Sequence, residues 1–385
     1  MLANFDDDAF FRVAAMHCVL DTVSAERVNY IDGWFTANTE LKDARQLRHF
    51  TGVSSVDNGL FKGCTALERV VMPSGLTALG DSAFAGCTNL NYIDMTGCSN
   101  LDINDFDRKD GIFVGTPLRT LVYMPQGNSQ TFDEVNVVNT PAEETEDTVT
   151  SAYSKKYYIE DKTAVDVPRP FHANEAQTTR KFTPGEGTTI FLPYGLSEKE
   201  AAALGKFFVF ESYNASTQEA TFTRVEKTEP NTAYVFVPDV TEFTTGEVDV
   251  AVSRESDPNE VKMVGTYHDL TIGENPWAYG YAGTTGDNST TGKLVKLSAT
   301  DIIPPTQAYL ITRGLTGPSF GVEFVDGGST SGIGHVTNNE LDADAPVDVF
   351  TIDGRKVRSA VNSSECLSGL PSGIYVVKGK KYLVK

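Results

Sequence analysis

Positive charge, cysteine and long hydrophobic runs are what this sequence is short of. Only 32 Lys and Arg stand against 52 Asp and Glu in 385 residues, a formal net charge of −20 at pH 7. Phosphate-rich partners are held by clustered cations, so the imbalance argues against any nucleic-acid role. No apolar stretch approaches the roughly 18 residues that a membrane-crossing helix requires. The first residues, Met1-Leu2-Ala3-Asn4, lack the basic and then apolar pattern of a leader peptide. The five cysteines, at 18, 64, 87, 98 and 366, never fall at C-x-x-C spacing, so neither a structural zinc nor a redox pair is indicated. There is no G-x-S-x-G elbow and no glycine-rich phosphate loop after a strand. Hydrolase and nucleotide readings lose their signatures, no cofactor is implied, and no residue is nominated as catalytic, cofactor-binding or metal-ligating. A hydrophobic content of 40% with 22% charged residues is ordinary for a folded chain, and the 33 Gly and 17 Pro predict many turns.

What is present is a repeat. Shifted by 23 positions, residues 47 to 101 align on themselves: Leu47 with Val70 and Ile93, Val56 with Leu79, Phe61 with Phe84, Cys64 with Cys87, Leu67 with Leu90. Phe61-x-Gly63-Cys64-Thr65-x-Leu67 recurs as Phe84-x-Gly86-Cys87-Thr88-x-Leu90. A later copy, Phe113-x-Gly115 running into Leu121 and Met124-Pro125, is displaced by an insertion around 98 to 112 and reads as a closing unit. One such unit has too few apolar positions to bury its own face, so equivalent residues must stack along an axis, the logic of a solenoid. About three and a half turns are visible. Upstream, Phe10, Val13, Ala14, His17 and Leu20 fall at helical intervals and predict an amphipathic helix over 7 to 20, with a second short helix from Ser24. Together these would cap the first repeat.

The phrase from Phe61 to Leu67, followed by Met72-Pro-Ser-Gly-Leu76 through Leu79 to Phe84-Ala-Gly-Cys-Thr-Asn-Leu90, resembles the BspA-like leucine-rich repeats of bacterial surface proteins, over residues 47 to 125. The resemblance implies one short strand of a parallel sheet per unit, and a role as an adhesin that binds matrix proteins or other cells. The calcium-loop-like turn that relatives carry between their amino-terminal helices is absent here, since Asp21-Thr22 runs directly into Val23-Ser24.

Beyond an acidic stretch at Pro141 to Asp147, short apolar runs recur at 157 to 159, 188 to 192, 207 to 210, 221 to 225, 233 to 237, 247 to 252, 294 to 297, 308 to 312 and 321 to 325. Turn clusters separate most of them, the pattern of an antiparallel sandwich or barrel. Ser197-x-x-Glu200 is a capping box that predicts one helix ending at Gly205. Gly327-Gly-Ser-Thr-Ser-Gly332 has the composition of a linker. Past it, Val347 to Ile352, Asp353-Gly354 and Lys356-Val357 predict strand, turn, strand, and Pro371 to Lys385 repeats that pattern. This tail resembles the carboxy-terminal sorting domain of proteins exported by the type IX route in Gram-negative anaerobes. The two resemblances together imply a secreted or outer-surface protein whose natural precursor carries a leader. The expected architecture is therefore mainly β with a helical amino-terminal cap: cap and leucine-rich solenoid over 1–130, a β-sandwich-like domain over 131–328, and linker plus short β tail over 329–385.

Four clusters invite chemistry. Cys64 and Cys87 share one repeat position and could form a disulfide across adjacent coils or, the favoured reading, a ladder of small buried thiols. Of the histidines at 17, 49, 172, 268 and 335, only His172-x-x-Glu175 pairs with a carboxylate at ligand spacing, and it lacks the second His of a zinc helix. Asp102-Ile-Asn104-Asp105-Phe-Asp107-Arg-Lys-Asp110 crowds carboxylates as calcium prefers, but the fifth position of either frame is Phe106 or Lys109, so a solvated insertion is expected. Trp277-Ala-Tyr279-Gly-Tyr281 would set three aromatics on one strand face, either as a platform for sugar rings or, as favoured, as core. The function expected is non-enzymatic adhesion through a protein partner on the repeats; the alternative is glycan binding on the central β domain around Trp277 to Tyr281.

Overall fold

Each repeat contributes a strand of two or three residues, and parallel pairing of these strands is what lets the coils share an interior. In the computed structural model the strands Asp43–Ala44, Arg69–Val71, Tyr92–Asp94, Leu121–Tyr123 and Val137–Val138 form one five-stranded parallel sheet in that order. The residues described are 8–16, 22–56, 58–103, 106–128, 130–141, 152–214, 216–256, 262–275, 277–283, 292–312, 317–326, 346–351, 355–362, 366–371, 373–377 and 380–384. The acidic stretch from 142, the linker at 327–332 and the Asp353-Gly354 turn lie outside them.

Because strand side chains alternate, the central residue of each strand turns to one side: Ala44, Val70, Ile93, Val122 and Val137 are all fully buried in the core of the repeats. Behind them run the phenylalanines. Phe35, Phe61, Phe84 and Phe113 stack with ring centroids 5.4, 5.6 and 5.9 Å apart and planes within 20° of parallel. Offset stacking at such spacing adds to the area these rings bury. The column is closed at one end by Phe10 of the helix Asp8–Ala15, 5.1 Å from Phe35, and at the other by Phe106, 4.6 Å from Phe113. The motif glycines serve the same stacking: Gly63, Gly86 and Gly115 have φ of +77°, +78° and +73°, a conformation open to Gly at no steric cost. Gly86 also lies directly against the Gly63 backbone.

Two sequence expectations need correction here. Ala44, not Leu47, is the partner of Val70; Leu47 sits in the 3-10 turn Arg45–His49. The first coil is three residues longer than the next, so an alignment at constant offset of 23 misplaces it. For the same reason Phe35, 26 residues before Phe61, falls outside the 23-residue register although it belongs to the column. The first helix is shorter than expected, Asp8–Ala15, and the second runs Thr22–Arg27; residues 17–21 lie outside the described ones.

The remainder of the first unit, Met1–Val325, is strand-rich. One sheet has nine strands in the order Thr188–Leu192, Thr232–Pro238, Gly205–Asn214, Glu219–Val225, Ser319–Val325, Lys293–Lys296, Ala278–Ala282, Gln307–Ile311 and Met263–Thr266. All its pairings are antiparallel except Glu219–Val225 with Ser319–Val325. Its first strand meets the last two: Phe191 donates its backbone N–H to the Thr306 carbonyl at 2.8 Å, and Ala308 donates to the Thr189 hydroxyl at 3.1 Å. Gly265 permits this closure, since a Cβ there would stand 2.1 Å from the Phe191 ring. The helix Glu198–Leu204 has the expected capping box, with Ser197 and Glu200 bonded reciprocally. Two three-stranded sheets, built on Phe171–Ala173 and Ala176–Lys181, and two two-stranded pairings, Ser55–Val56 with Ala78–Leu79 and Leu270–Thr271 with Ile302–Ile303, belong to the same unit. The second unit, Asp326–Lys385, is a four-stranded antiparallel sheet around Val349, Cys366, Tyr375 and Val377. Among the described residues no helix is long and apolar enough to cross a membrane.

Phe84 is flanked by a ring on both sides. Phe84→Ala is expected to lower unfolding free energy by about 3–5 kcal/mol, whereas Leu118→Ala, at a side chain 53% exposed, should change it by under about 0.5 kcal/mol. Urea titration of the two variants checks this; equal effects would show that the column is not a stabilising element.

Candidate functional site

The outer face of the parallel sheet changes character along the stack. In the row Asp43, Arg69, Tyr92, Leu121, neighbours in register pass from charged to apolar. At the charged end Asp43, only 3% exposed, is held by Arg45 at 2.6 Å and Arg69 at 3.4 Å. At the apolar end Tyr92, Leu121, Tyr123 and Val138 are buried, and they belong to the same core as Tyr157, Val165, Val167 and Phe171. Tyr123 meets the Phe171 ring edge-on at 6.1 Å. The chain's own following segment therefore covers the sheet face of the later coils.

Polar anchors fix the cover. Arg169 pairs with Asp94 at 2.7 Å, and the Tyr123 hydroxyl donates to the Arg169 carbonyl at 2.8 Å. Asn91 donates to Asp166 at 2.9 Å. Behind Asp166 stands His268, whose ring reaches Asp166 through Nε2 at 3.4 Å and Glu255 through Nδ1 at 3.0 Å. Hydrogen bonds donated by the ring to Asp166 and then to Glu255 favour the imidazolium and raise the His268 pKa to about 10. Burial opposes the charge of Asp166, but the His268 and Asn91 bonds outweigh it and leave that pKa below the usual range. The cavity beside Asn91, Tyr157 and Asp166 measures about 20 Å³, room for about one water. This seam binds the chain to itself.

Cys64, Cys87 and Cys98 are free and buried. Their thiols donate to the carbonyls of Phe35, Phe61 and Pro73, and burial pushes their pKa up to about 11, 12 and 12. The thiol-ladder reading holds for Cys64 and Cys87. His172 pairs with Asp249 at 3.0 Å and Glu175 with Lys156 at 2.7 Å, so those two do not share a ligand. In the insertion, Asn104 and Asp105 lie outside the described residues, and the Asp107 carboxylate accepts the Lys109 backbone N–H. Leu101, Ile103 and Phe106 of the insertion are buried, and the part-buried Arg108 donates to the Thr116 hydroxyl and to the carbonyls of Pro117, Thr120 and Val135. An Arg within a charge run carries no sequence mark of such a clamp. Among the described residues no three His, Cys, Asp or Glu are grouped to hold a metal. The three aromatics separate: Tyr279 is fully buried with its hydroxyl bonded to the Gly317 carbonyl, Trp277 is 38% exposed, and Tyr281 is half-buried at the rim of a polar hollow. No single three-ring platform forms.

Residues 22–112 match the family model described as BspA type Leucine rich repeat region, in 6 copies. Repeats of this type are commonly found in surface or secreted proteins, generally non-enzymatic, that act through protein interaction. Comparison with curated proteins and with solved structures finds no match.

The raised His268 pKa has a definite sign. Its contribution to stability is complete below the unfolded value of 6.5 and is lost as pH rises towards about 10. The gap in urea midpoint between the unmodified protein and His268→Asn should be widest at pH 6 and should close by pH 10 to 11; a gap independent of pH would show that the ion pairs do not stabilise the seam.

Proposed function

We propose that this protein is a non-enzymatic interaction protein of the cell surface or the secreted fraction, an adhesin whose leucine-rich solenoid binds a protein partner such as a matrix or cell-surface protein. The observation that carries the reading is the BspA-type repeat region at 22–112, with equivalent side chains at Thr65 and Thr88, and at Ser54 and Thr77, exposed on successive coils. A surface that repeats at fixed pitch suits a large, shallow contact. Because the sheet face of the later coils is covered by the chain itself, the partner is assigned to the coil edges.

The division of labour that goes with this reading is a cap and solenoid over 1–130, a β-sandwich-like domain over 131–328 that braces it, and a tail over 329–385 that serves export. The tail's likeness to type IX sorting domains supports an outer-surface destination in a Gram-negative cell. Glycan binding by the central domain is the alternative; the separation of Trp277, Tyr279 and Tyr281 removes the platform that favoured it.

The test uses the full chain against immobilised extracellular-matrix proteins. The double substitution Thr65→Glu/Thr88→Glu, at exposed positions, should weaken binding by about tenfold or more, while Trp277→Ala should leave it unchanged. Absence of binding to any matrix protein, together with glycan-array binding lost on Trp277→Ala, would replace this reading with the alternative.

A further inference from the structure

Two small cavities among the described residues of the first unit hold about 20 and about 10 Å³. A third space is of another order, about 280 Å³, lined by Arg180, Phe182, Thr183, Glu186, Thr188 and Tyr281. That is close to the lower limit of ordinary small-molecule sites, about 300 Å³. Its wall is set by close backbone approach: a Cβ on Gly187 would stand 2.7 Å from the Tyr281 hydroxyl, and one on Gly283 would stand 1.4 Å from the Gly187 carbonyl oxygen. Tyr281 is therefore held in place.

A second observation concerns charge. Arg180 donates to the Thr189 carbonyl at 2.9 Å and to the Thr188 hydroxyl at 2.5 Å, and its guanidinium lies 5.1 Å from the centre of the Phe182 ring. Those bonds use two of its five N–H groups. No salt bridge to a carboxylate reaches it among the described residues, although the chain has 52 acidic residues; Asp161 acts on it only through space. Its neighbour Lys181 is neutralised by Glu242 at 2.5 Å. Burial lowers the Arg180 pKa, the expected mark of a cation taken from water without a full counter-charge. Buried charges are otherwise paired.

We propose that this hollow is a binding site for a small organic carboxylate, whose anionic group pairs with the Arg180 guanidinium while its body lies against Tyr281. A planar carboxylate suits the guanidinium fork. Lys181 also lines the hollow but is paired with Glu242, so one cation without a salt bridge faces a rim that also carries Glu186, which favours a single negative charge over a dianion such as phosphate. The site is separate from the coil edges assigned to a protein partner and stands or falls independently of that assignment.

The test is titration of the full chain with glucuronate, glutamate, inorganic phosphate and uncharged glucose, read by calorimetry and by the NMR signals of the arginine side chains. Glucuronate or glutamate should bind saturably, and Arg180→Gln should weaken that binding by about tenfold or more. Since Arg180 also ties two strands together, Glu186→Gln provides the check at an exposed rim residue and should tighten the same binding several-fold. Failure of both carboxylates to bind, binding of phosphate alone, equal binding of glucose, or indifference to Glu186→Gln would each overturn the proposal.

Discussion

Mutual burial between successive coils is the constraint on which the repeat region depends. A strand of three residues and one phenylalanine cannot remove enough apolar area from water to order a coil, but a ring with another ring on each face loses nearly all its exposure. The column from Phe10 to Phe106 supplies that condition at every level, and the two rings that end it come from outside the regular motif. Backbone bonds follow the same axis: Glu68 donates to Lys42, Asn91 to Glu68, and Leu121 to Asn91. The buried thiols extend it again, each donating to a carbonyl one coil earlier. Their high pKa is a consequence of that dryness, which makes them packing groups and not nucleophiles.

The same stacking leaves an outer sheet face that must meet either water or protein. Had all four outward positions been charged like Asp43 and Arg69, the face would be solvated. Tyr92, Leu121 and Tyr123 instead demand cover, and Phe171, Tyr157 and Val165 supply it. The anchors Arg169–Asp94 and Asn91–Asp166 do more to register the cover than to hold it, because charge pairs near a surface contribute modestly while apolar area at the seam dominates. The sheet face of the later coils is thereby taken up by the chain that follows.

Local rules were legible where the chain is periodic. The period of 23, the Phe-x-Gly-Cys motif, the thiol ladder and the Ser197 capping box depend on residues close in sequence, and each has the structural role its chemistry demands. Legibility failed where the period slipped: the longer first coil put Leu47 where Ala44 belongs and hid Phe35. It failed again in the nine-stranded sheet, whose single parallel pairing joins strands about a hundred residues apart. Short apolar runs specify a strand but not its neighbour.

The sequence by itself determined that coils would form and what would fill them, because a repeated spacing of apolar, glycine and thiol positions admits one way of stacking. Which face of the stack stays open was decided only by tertiary structure. Arg169 and Asp94 stand 75 residues apart and His268 further still from its seam, and pairings at that range leave no periodicity to read. The same holds for Arg180: among the described residues no salt bridge to a carboxylate reaches it, which is a property of the assembled wall around it.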